Sequence, residues 1–178
     1  ISGGVSHART AVLAMIGDAV VGTRLAPALA VGAVLQVAAG LWLLRRPHAA
    51  AELAAGEGEA IGNPFELRSV LKFALVLALV GVLAEFAAKY LGQGGALVVA
   101  TVTGLTDVDS VTLGMTALTP DRLAVATAAA AIVVALGSNG IAKSAYAYAL
   151  GSRGYGLRFA LGTIPALLAA GAVLLLWR

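Results

Sequence analysis

The chain has no cysteine among its 178 residues, and only 12% of them carry a charged side chain. Without thiols it can form neither a disulfide framework nor a thiolate metal site, and it cannot use a cysteine nucleophile. Aromatic residues are also scarce, whereas 60% of the chain is hydrophobic and the mean hydropathy is +0.94. Soluble domains are roughly half apolar and a quarter charged. The composition therefore predicts an integral membrane protein, an all-α polytopic bundle of transmembrane helices.

The small and basic residues fit the same prediction. The 22 glycines would let membrane helices approach closely, which matters because lipid provides no hydrophobic drive between helices. A net charge of +3 would suggest a nucleic-acid partner for a soluble protein. Here most lysines and arginines lie at the ends of apolar runs, where they report membrane orientation. We therefore expect no nucleic-acid binding, and because no nucleophile with a nearby base is apparent, we expect no enzyme.

Several apolar runs approach or exceed the roughly 20 residues that a spanning helix needs. The predicted spans are 25–44, about 69–91, 95–118, 122–150 and 157–177, with a partial span that ends near Ile16. Polar residues interrupt 95–118 after Gly104, and the run Gly137-Ser-Asn-Gly140 interrupts 122–150. Residues 45–68 are predicted to form a linker outside the membrane. The chain, 1–178, is thus predicted to be one transmembrane domain, cut from a longer protein because it begins at Ile1.

Two pairs of segments indicate an internal duplication. Residues 4–15 align without gaps on 104–115, and LKFAL at 71–75 matches LRFAL at 157–161. The repeats would cover about 1–91, truncated at its N-terminus, and about 95–178. Three spans in each repeat would give the two copies opposite orientations, as in secondary transporters whose interrupted helices form a binding site near the midplane.

Acidic residues in the middle of the third predicted long run are the leading functional candidates, since charges at membrane depth are costly and usually functional. An unwound segment after Gly104 could bring Asp107 and Asp109 together around a cation such as Mg²⁺ or Na⁺, or a proton. Alternatively, one aspartate caps a half-helix and the other pairs with Lys143. The candidate ion-binding residues are Asp107, Asp109, Thr106, Ser110, Thr112, Asn139 and Lys143.

The segment that aligns on this motif forms a second candidate site. Its polar residues are Ser6, His7, Arg9 and Thr10. Arg9 corresponds to Asp109, so the two could form an ion pair; alternatively, His7 and Arg9 lie at a solvated end. Asn139 and Lys143 are four residues apart and therefore share a helix face. Lys143 could neutralise an aspartate at rest, or it could extend to the membrane interface.

Three motifs resemble a known family. The runs GNPFELRSVLKFAL at 62–75, GLTDVDSVTL at 104–113 and GLRFALG at 156–162 resemble the bacterial membrane domain of unknown function of the DUF4010 type, found C-terminal to an MgtC/SapB-type domain. The resemblance implies a multi-pass protein of the bacterial inner (cytoplasmic) membrane, with that upstream domain as a partner. An Asn-Thr-x-x-Lys-like element of the family is matched by 139–143, where Gly140 departs from the expected hydroxyl residue.

These features predict a transporter-like or ion-handling domain that binds a cation or proton at the Asp107/Asp109 pair. The alternative is a non-transporting regulatory or scaffold protein that binds another membrane protein. The sequence implies no cofactor other than Mg²⁺ or another cation. Besides the lipid bilayer and the upstream domain, a second copy of the chain is a further candidate partner.

Overall fold

A computed structural model describes residues 2–44, 94–119, 121–150 and 153–177. The predicted linker 45–68 and the predicted span at about 69–91 lie outside the described residues. The same holds for the LKFAL half of the second repeat match.

The described part of the chain is helical. Its helices are α1 (Ser2–Gly17), α2 (Ala19–Leu44), α3 (Gly94–Gly104), α4 (Val108–Ala117), α5 (Val125–Leu150) and α6 (Arg153–Leu176). Three of them, α2, α5 and α6, are long and apolar enough to span a membrane. The prediction of an all-α fold with membrane-type helices is confirmed at this level.

A tight hairpin joins α1 to α2. Asp18 alone separates the two helices, and its carboxylate Oδ1 accepts the backbone N–H groups of Val20 at 2.7 Å and Val21 at 3.2 Å. These bonds satisfy donors that the first turn of a helix otherwise leaves unpaired. The predicted span begins at residue 25 because Arg24 precedes the charge-free run. Capping by Asp18 explains why α2 begins six residues earlier, at Ala19.

Close contacts at glycine fix the direction of the other long helices. The contacting pairs are Gly32 with Ala170, Gly162 with Ala39, Gly140 with Thr163, and Gly156 with Tyr148. In the first two pairs α6 runs antiparallel to α2, and in the last two it runs antiparallel to α5. Helices α2 and α5 therefore run in the same direction, with α6 packed between and against them.

Alanine forms most of the core where α5 crosses it. Ala128, Ala131 and Ala135 are fully buried, as is Ile132. Short side chains let neighbouring backbones approach, and close packing is a main source of helix association in lipid. The position of α5 at the centre of the bundle follows from this run.

The predicted interruption after Gly104 is present. The N–H groups of Thr106 and Asp107 both donate to the carbonyl of Thr103, which closes the end of α3 with a turn. Asp107 then has an extended backbone, with φ −146° and ψ 108°, before α4 begins. Helices α3 and α4 are thus two halves of one interrupted helix.

The predicted interruption at Gly137-Ser-Asn-Gly140 is wrong, because α5 continues without a break from Val125 to Leu150. The small and polar residues serve packing instead. Ser138 donates a hydrogen bond to the Thr101 carbonyl, and a side chain at Gly140 would meet Leu167 at 2.6 Å. From the sequence alone, a glycine that permits close contact between helices cannot be distinguished from a glycine that ends a helix.

The inverted repeat is not confirmed. The segment 4–15 lies in α1, and most of 104–115 lies in α4. Arg9, in the middle of α1, contacts Asp109 in the first turn of α4, and Gly17, the last residue of α1, contacts Thr116 near the C-terminal end of α4. Both helices therefore run in the same direction, whereas an inverted repeat requires them to run in opposite directions.

Candidate functional site at the interrupted helix

An ion pair joins the two aligned motifs. Nη2 of Arg9, on α1, lies 2.9 Å from Oδ2 of Asp109, in the first turn of α4. The Arg9 side chain is 59% exposed and that of Asp109 is 28% exposed. The alignment of 4–15 with 104–115 gave this pair as one of two alternatives for Arg9. Its neighbour His7 is buried, at 2% exposure, so the alternative of a solvated end does not hold for that residue.

Asp107 is the N-cap of α4. Its Oδ1 accepts the backbone N–H of Asp109 at 2.9 Å, and its Oδ2 accepts the hydroxyl of Ser110. A carboxylate in this position is stabilised by the positive end of the helix dipole. The capping alternative is therefore the one the structure supports for Asp107, and both of its oxygens are engaged within its own helix.

Asp109 is only half satisfied. While Oδ2 meets Arg9, Oδ1 is buried and has no hydrogen-bond partner among the described atoms. Buried polar atoms are nearly always paired, so an unpaired carboxylate oxygen marks a place where a proton, ion or water can bind.

Two other predicted ligands point elsewhere. The hydroxyl of Thr106 donates to the Thr103 carbonyl at 2.9 Å, and that of Thr112 donates to the Val108 carbonyl at 2.8 Å. These are bonds to the preceding turn of the same backbone. Thr10 is buried, and its hydroxyl has no partner in the described part of the molecule.

Side chains of α5 satisfy the free carbonyls at the end of α3. Nδ2 of Asn139 donates to the Gly104 carbonyl at 3.1 Å, next to the bond from Ser138 to Thr101. The last carbonyls of a helix have no partner within it. Asn139 therefore belongs to the interrupted helix as a structural clamp.

Lys143 does not form the predicted bond to an aspartate. Its Nζ donates instead to the hydroxyl of Ser6 at 3.3 Å. The sequence analysis suggested that one aspartate caps a half-helix and the other pairs with Lys143; Asp107 is the cap, but Asp109 pairs with Arg9 instead.

A small cavity with an almost entirely apolar surface lies between α1, α2, α5 and α6. The residues around it that have polar side chains are Ser6, His7, Gln36, Asn139, Lys143 and Thr163. Gln36 and Thr163 were missed by the sequence analysis, although each is a polar residue inside a predicted span, which is the signal that would have found them. No group of three or more potential metal-ligating side chains occurs among the residues with described positions.

A second carboxylate ties the helix ends together. Oδ2 of Asp18 accepts the hydroxyl of Thr119 at 2.5 Å. This bond, together with those from the Val21 and Val20 backbone, lowers the pKa of the Asp18 carboxyl, because all three donors stabilise its ionised form. The sequence analysis gave Asp18 no role.

The fold and site define a helical domain of membrane type with one interrupted helix and an ion pair at the interruption. Residues 1–151 match the family described as "Domain of unknown function (DUF4010)". The chain belongs to this family. An "Uncharacterized protein" from Aquifex aeolicus (strain VF5) is 31% identical over 99 residues, which are 55% of this chain and 43% of that protein.

The matched part thus spans less than half the length of this relative. The comparison with solved structures finds no match.

Proposed function

We propose that this chain is an ion-handling, transporter-like domain, and that Asp109 binds a proton or a monovalent cation in competition with Arg9. The observation that carries the proposal is the half-satisfied carboxylate of Asp109 at the interruption between α3 and α4. Its free oxygen offers a site, and its guanidinium partner provides the charge that must be displaced.

The position of the pair supports this function. Arg9 lies eight residues before the end of α1 at Gly17, about 12 Å along the helix, while α2 has 26 residues and is about 39 Å long. A charge at this depth is costly in hydrocarbon, by about 2.5–3.5 kcal/mol or more. Since Arg9 is largely exposed, water or further protein has to reach that face, and a water-filled path would connect Asp109 to solvent.

The chemistry favours a proton or monovalent cation over Mg²⁺. Divalent hard cations take about six oxygen ligands and usually more than one carboxylate. Asp107 is committed to capping α4, and the hydroxyls of Thr106 and Thr112 bond to their own backbone. Asp109 alone would be sufficient to bind a proton, or to bind a monovalent cation weakly together with water ligands.

The cellular setting is part of the proposal. The spanning-length helices and the family membership support a multi-pass protein of the bacterial inner membrane. An upstream MgtC/SapB-type domain of the same protein is the proposed partner.

The test is the thermal stability of the purified chain in detergent, measured against pH and against Na⁺, K⁺ and Mg²⁺. A ligand that binds only the folded state raises the unfolding midpoint. We expect a proton or one monovalent cation to stabilise the wild type and to have no such effect on Asp109→Asn. Asp121→Asn, which removes an exposed loop carboxylate, is the matched control and should respond like the wild type.

Arg9→Gln tests the competition directly. Exposed ion pairs are worth up to about 1 kcal/mol, so removal of the guanidinium should tighten ligand binding by up to about fivefold. If Asp109→Asn responds like the wild type, or if Arg9→Gln weakens binding, the proposal is wrong.

A further inference from the structure

Exposed aromatic side chains are concentrated at one end of the helix bundle. This aromatic end is formed by the last two turns of α2 and α5 and by the first turn of α6, which meet because α6 runs antiparallel to the other two. Its exposed aromatic residues are Trp42, Tyr146, Tyr148 and Tyr155. Each of the three long helices thus contributes at least one of them.

Contacts between the helices place these side chains at nearly the same level. Gly156 packs against Tyr148, so the adjacent Tyr155 is level with Tyr148. Gly162 contacts α2 three residues before Trp42. At 1.5 Å per residue along both helices, Trp42 then lies about 6 Å from Tyr155 along the bundle axis. The aromatic residues of the three helices therefore form one belt.

The opposite end of the bundle has an exposed aromatic residue at a matching distance. Trp177 follows the last residue of α6 and is exposed. It lies 22 positions after Tyr155 in the sequence, which is about 33 Å along a helix. The hydrocarbon core of a bilayer is about 30 Å thick, and tryptophan and tyrosine are enriched at both of its interfaces with water. The two aromatic levels therefore fit the two surfaces of one bilayer.

The two ends differ in charge. The aromatic end contains Arg153 and Arg158, and no carboxylate occurs there among the residues whose positions are described. The opposite end has two acidic and two basic residues in the described ranges, namely Asp18, Asp121, Arg24 and Arg122. The described charges therefore make the aromatic end positive and leave the other end neutral.

A positive aromatic end fits an anionic membrane surface. Basic residues near such a surface each raise the affinity for it by about fivefold, and a guanidinium group can bind phosphate with two parallel hydrogen bonds. Basic residues are also in excess on the cytoplasmic side of membrane proteins. Arg153 is exposed at the first position of α6, about 3 Å further out along the helix than Tyr155.

We propose that the aromatic end lies among the headgroups of the cytoplasmic leaflet and that Arg153 binds anionic phospholipid there. The belt of tryptophan and tyrosine sets the depth, and the arginine selects the headgroup charge. This inference rests on the membrane setting proposed above, but it is independent of ion binding at Asp109.

The two tryptophans of the chain provide one fluorescent reporter at each end. Trp177→Phe leaves Trp42 as the reporter of the aromatic end, and Trp42→Phe leaves Trp177. Each variant is reconstituted into vesicles of equal parts phosphatidylglycerol and phosphatidylcholine, in which the chains of one lipid or the other carry bromine, a contact quencher of tryptophan. Brominated phosphatidylglycerol should quench Trp42 more strongly than brominated phosphatidylcholine, whereas the two should quench Trp177 equally.

Substitutions at Arg153 test its role in the Trp177→Phe background. Arg153→Gln should lower the apparent affinity for phosphatidylglycerol by about fivefold, and Arg153→Lys should retain most of it. High salt should weaken the preference, since it screens exposed charges. Arg122→Gln removes an exposed arginine at the opposite end and is the matched control, with an unchanged preference at Trp42.

Thiol labelling tests the orientation. An impermeant reagent applied to intact spheroplasts should label Asp121→Cys, and it should label Arg153→Cys only after permeabilisation. The chain without cysteine is the control. Labelling of Arg153→Cys in intact spheroplasts would overturn the orientation.

Equal quenching of Trp42 by the two brominated lipids, or a preference that Arg153→Gln leaves unchanged, would overturn the lipid binding. If lipid quenches Trp177 but not Trp42, protein covers the aromatic end and the inference is wrong. If lipid quenches neither tryptophan, the membrane setting itself is wrong, which distinguishes a failure of the proposed function from a failure of this inference alone.

Discussion

At the scale of single residues, two aspartates have the same structural task. Asp18 and Asp107 each lie just before a helix and accept N–H groups from its first turn. Short carboxylates suit this task because they bond to the backbone locally. Asp109, two residues further along, already lies inside α4, and its carboxylate pairs with Arg9 on α1 instead of capping the helix.

The bond between Asp18 and Thr119 makes stability depend on pH. Because the pKa of Asp18 is lowered in the folded chain, its ionised form stabilises the fold above the unfolded-state pKa, and this contribution is lost as pH falls through the folded-state pKa. Thr119→Val should raise the pKa of Asp18 and lower the unfolding midpoint at neutral pH. The difference from wild type should shrink as pH falls through the carboxyl range.

Thr119→Ser keeps the hydroxyl and is the control for this prediction. A difference that stays constant with pH would assign the loss to the second contact of the hydroxyl, with the Thr116 carbonyl at 2.8 Å, rather than to Asp18.

The alignment gave the pairing of Arg9 with Asp109 as one of two alternatives, and the structure contains that pair, although the inverted repeat from which the pairing was argued is not confirmed. Helix-capping preference gave a capping role to one of the two aspartates, and in the structure that residue is Asp107. For Lys143, pairing with an aspartate was one of two alternatives, beside extension to the membrane interface. The sequence does not encode which cation lies nearer to Asp109 in space, and in the structure Asp109 pairs with Arg9.

At the scale of helices, the interruption between α3 and α4 is held against α5. Gly104 provides both the contact and the bond: its Cα approaches Ala135, and its carbonyl accepts from Asn139. A β-carbon at position 104 would lie 2.5 Å from the Ala135 Cα, which is a contact with backbone that no rotamer change relieves.

Gly104→Ala should therefore destabilise the fold, by about 1–3 kcal/mol as expected for overpacking. Gly114 on α4 is the matched control, since nothing lies within 4 Å of an added β-carbon there. Gly114→Ala should be neutral or stabilising by up to about 1 kcal/mol, because alanine is the better helix former. Equal unfolding midpoints for the two variants in detergent would contradict the proposed contact.

The helix break after Gly104 was predicted, whereas the start of α2 at the Asp18 cap was missed and the break at 137–140 was wrong. The polar run after Gly104 interrupts a helix because Asp107 competes for backbone N–H groups. The run at 137–140 has a similar composition, yet α5 passes through it since α3 and α6 pack against its small residues. The difference lies in neighbours that are distant in the sequence.

At the scale of the whole molecule, the described helices have consistent directions: α2 and α5 run one way, and α1, α4 and α6 run the other way. If α5 spans the membrane, the segment before it and the segment after it lie on opposite sides. The absence of cysteine makes this testable with single introduced thiols and no background labelling.

Asp121→Cys, between α4 and α5, and Arg153→Cys, at the start of α6, should be labelled from opposite sides of the membrane. A membrane-impermeant thiol reagent applied to intact spheroplasts should label one of these variants, and permeabilisation should allow labelling of both. The unmodified chain is the control and should remain unlabelled. Labelling of both variants from the same side would contradict a spanning α5.

Composition was sufficient to predict the class of fold, because it measures how much apolar surface must leave water. The relation between the two repeats was not predictable in the same way. It was inferred from an odd count of spans, and that count includes residues outside the described part. The parallel course of α1 and α4 follows instead from two contacts, at Arg9 and at Gly17.

The ion pair between Arg9 and Asp109 has a consequence for biogenesis. Its two charges are 100 positions apart in the chain, and at about 5–20 residues per second a ribosome needs roughly 5–20 s to add that stretch. During this interval Arg9 on α1 has no acidic partner from α4. The contact between α1 and α4 that this ion pair makes therefore forms only after α4 has been synthesised.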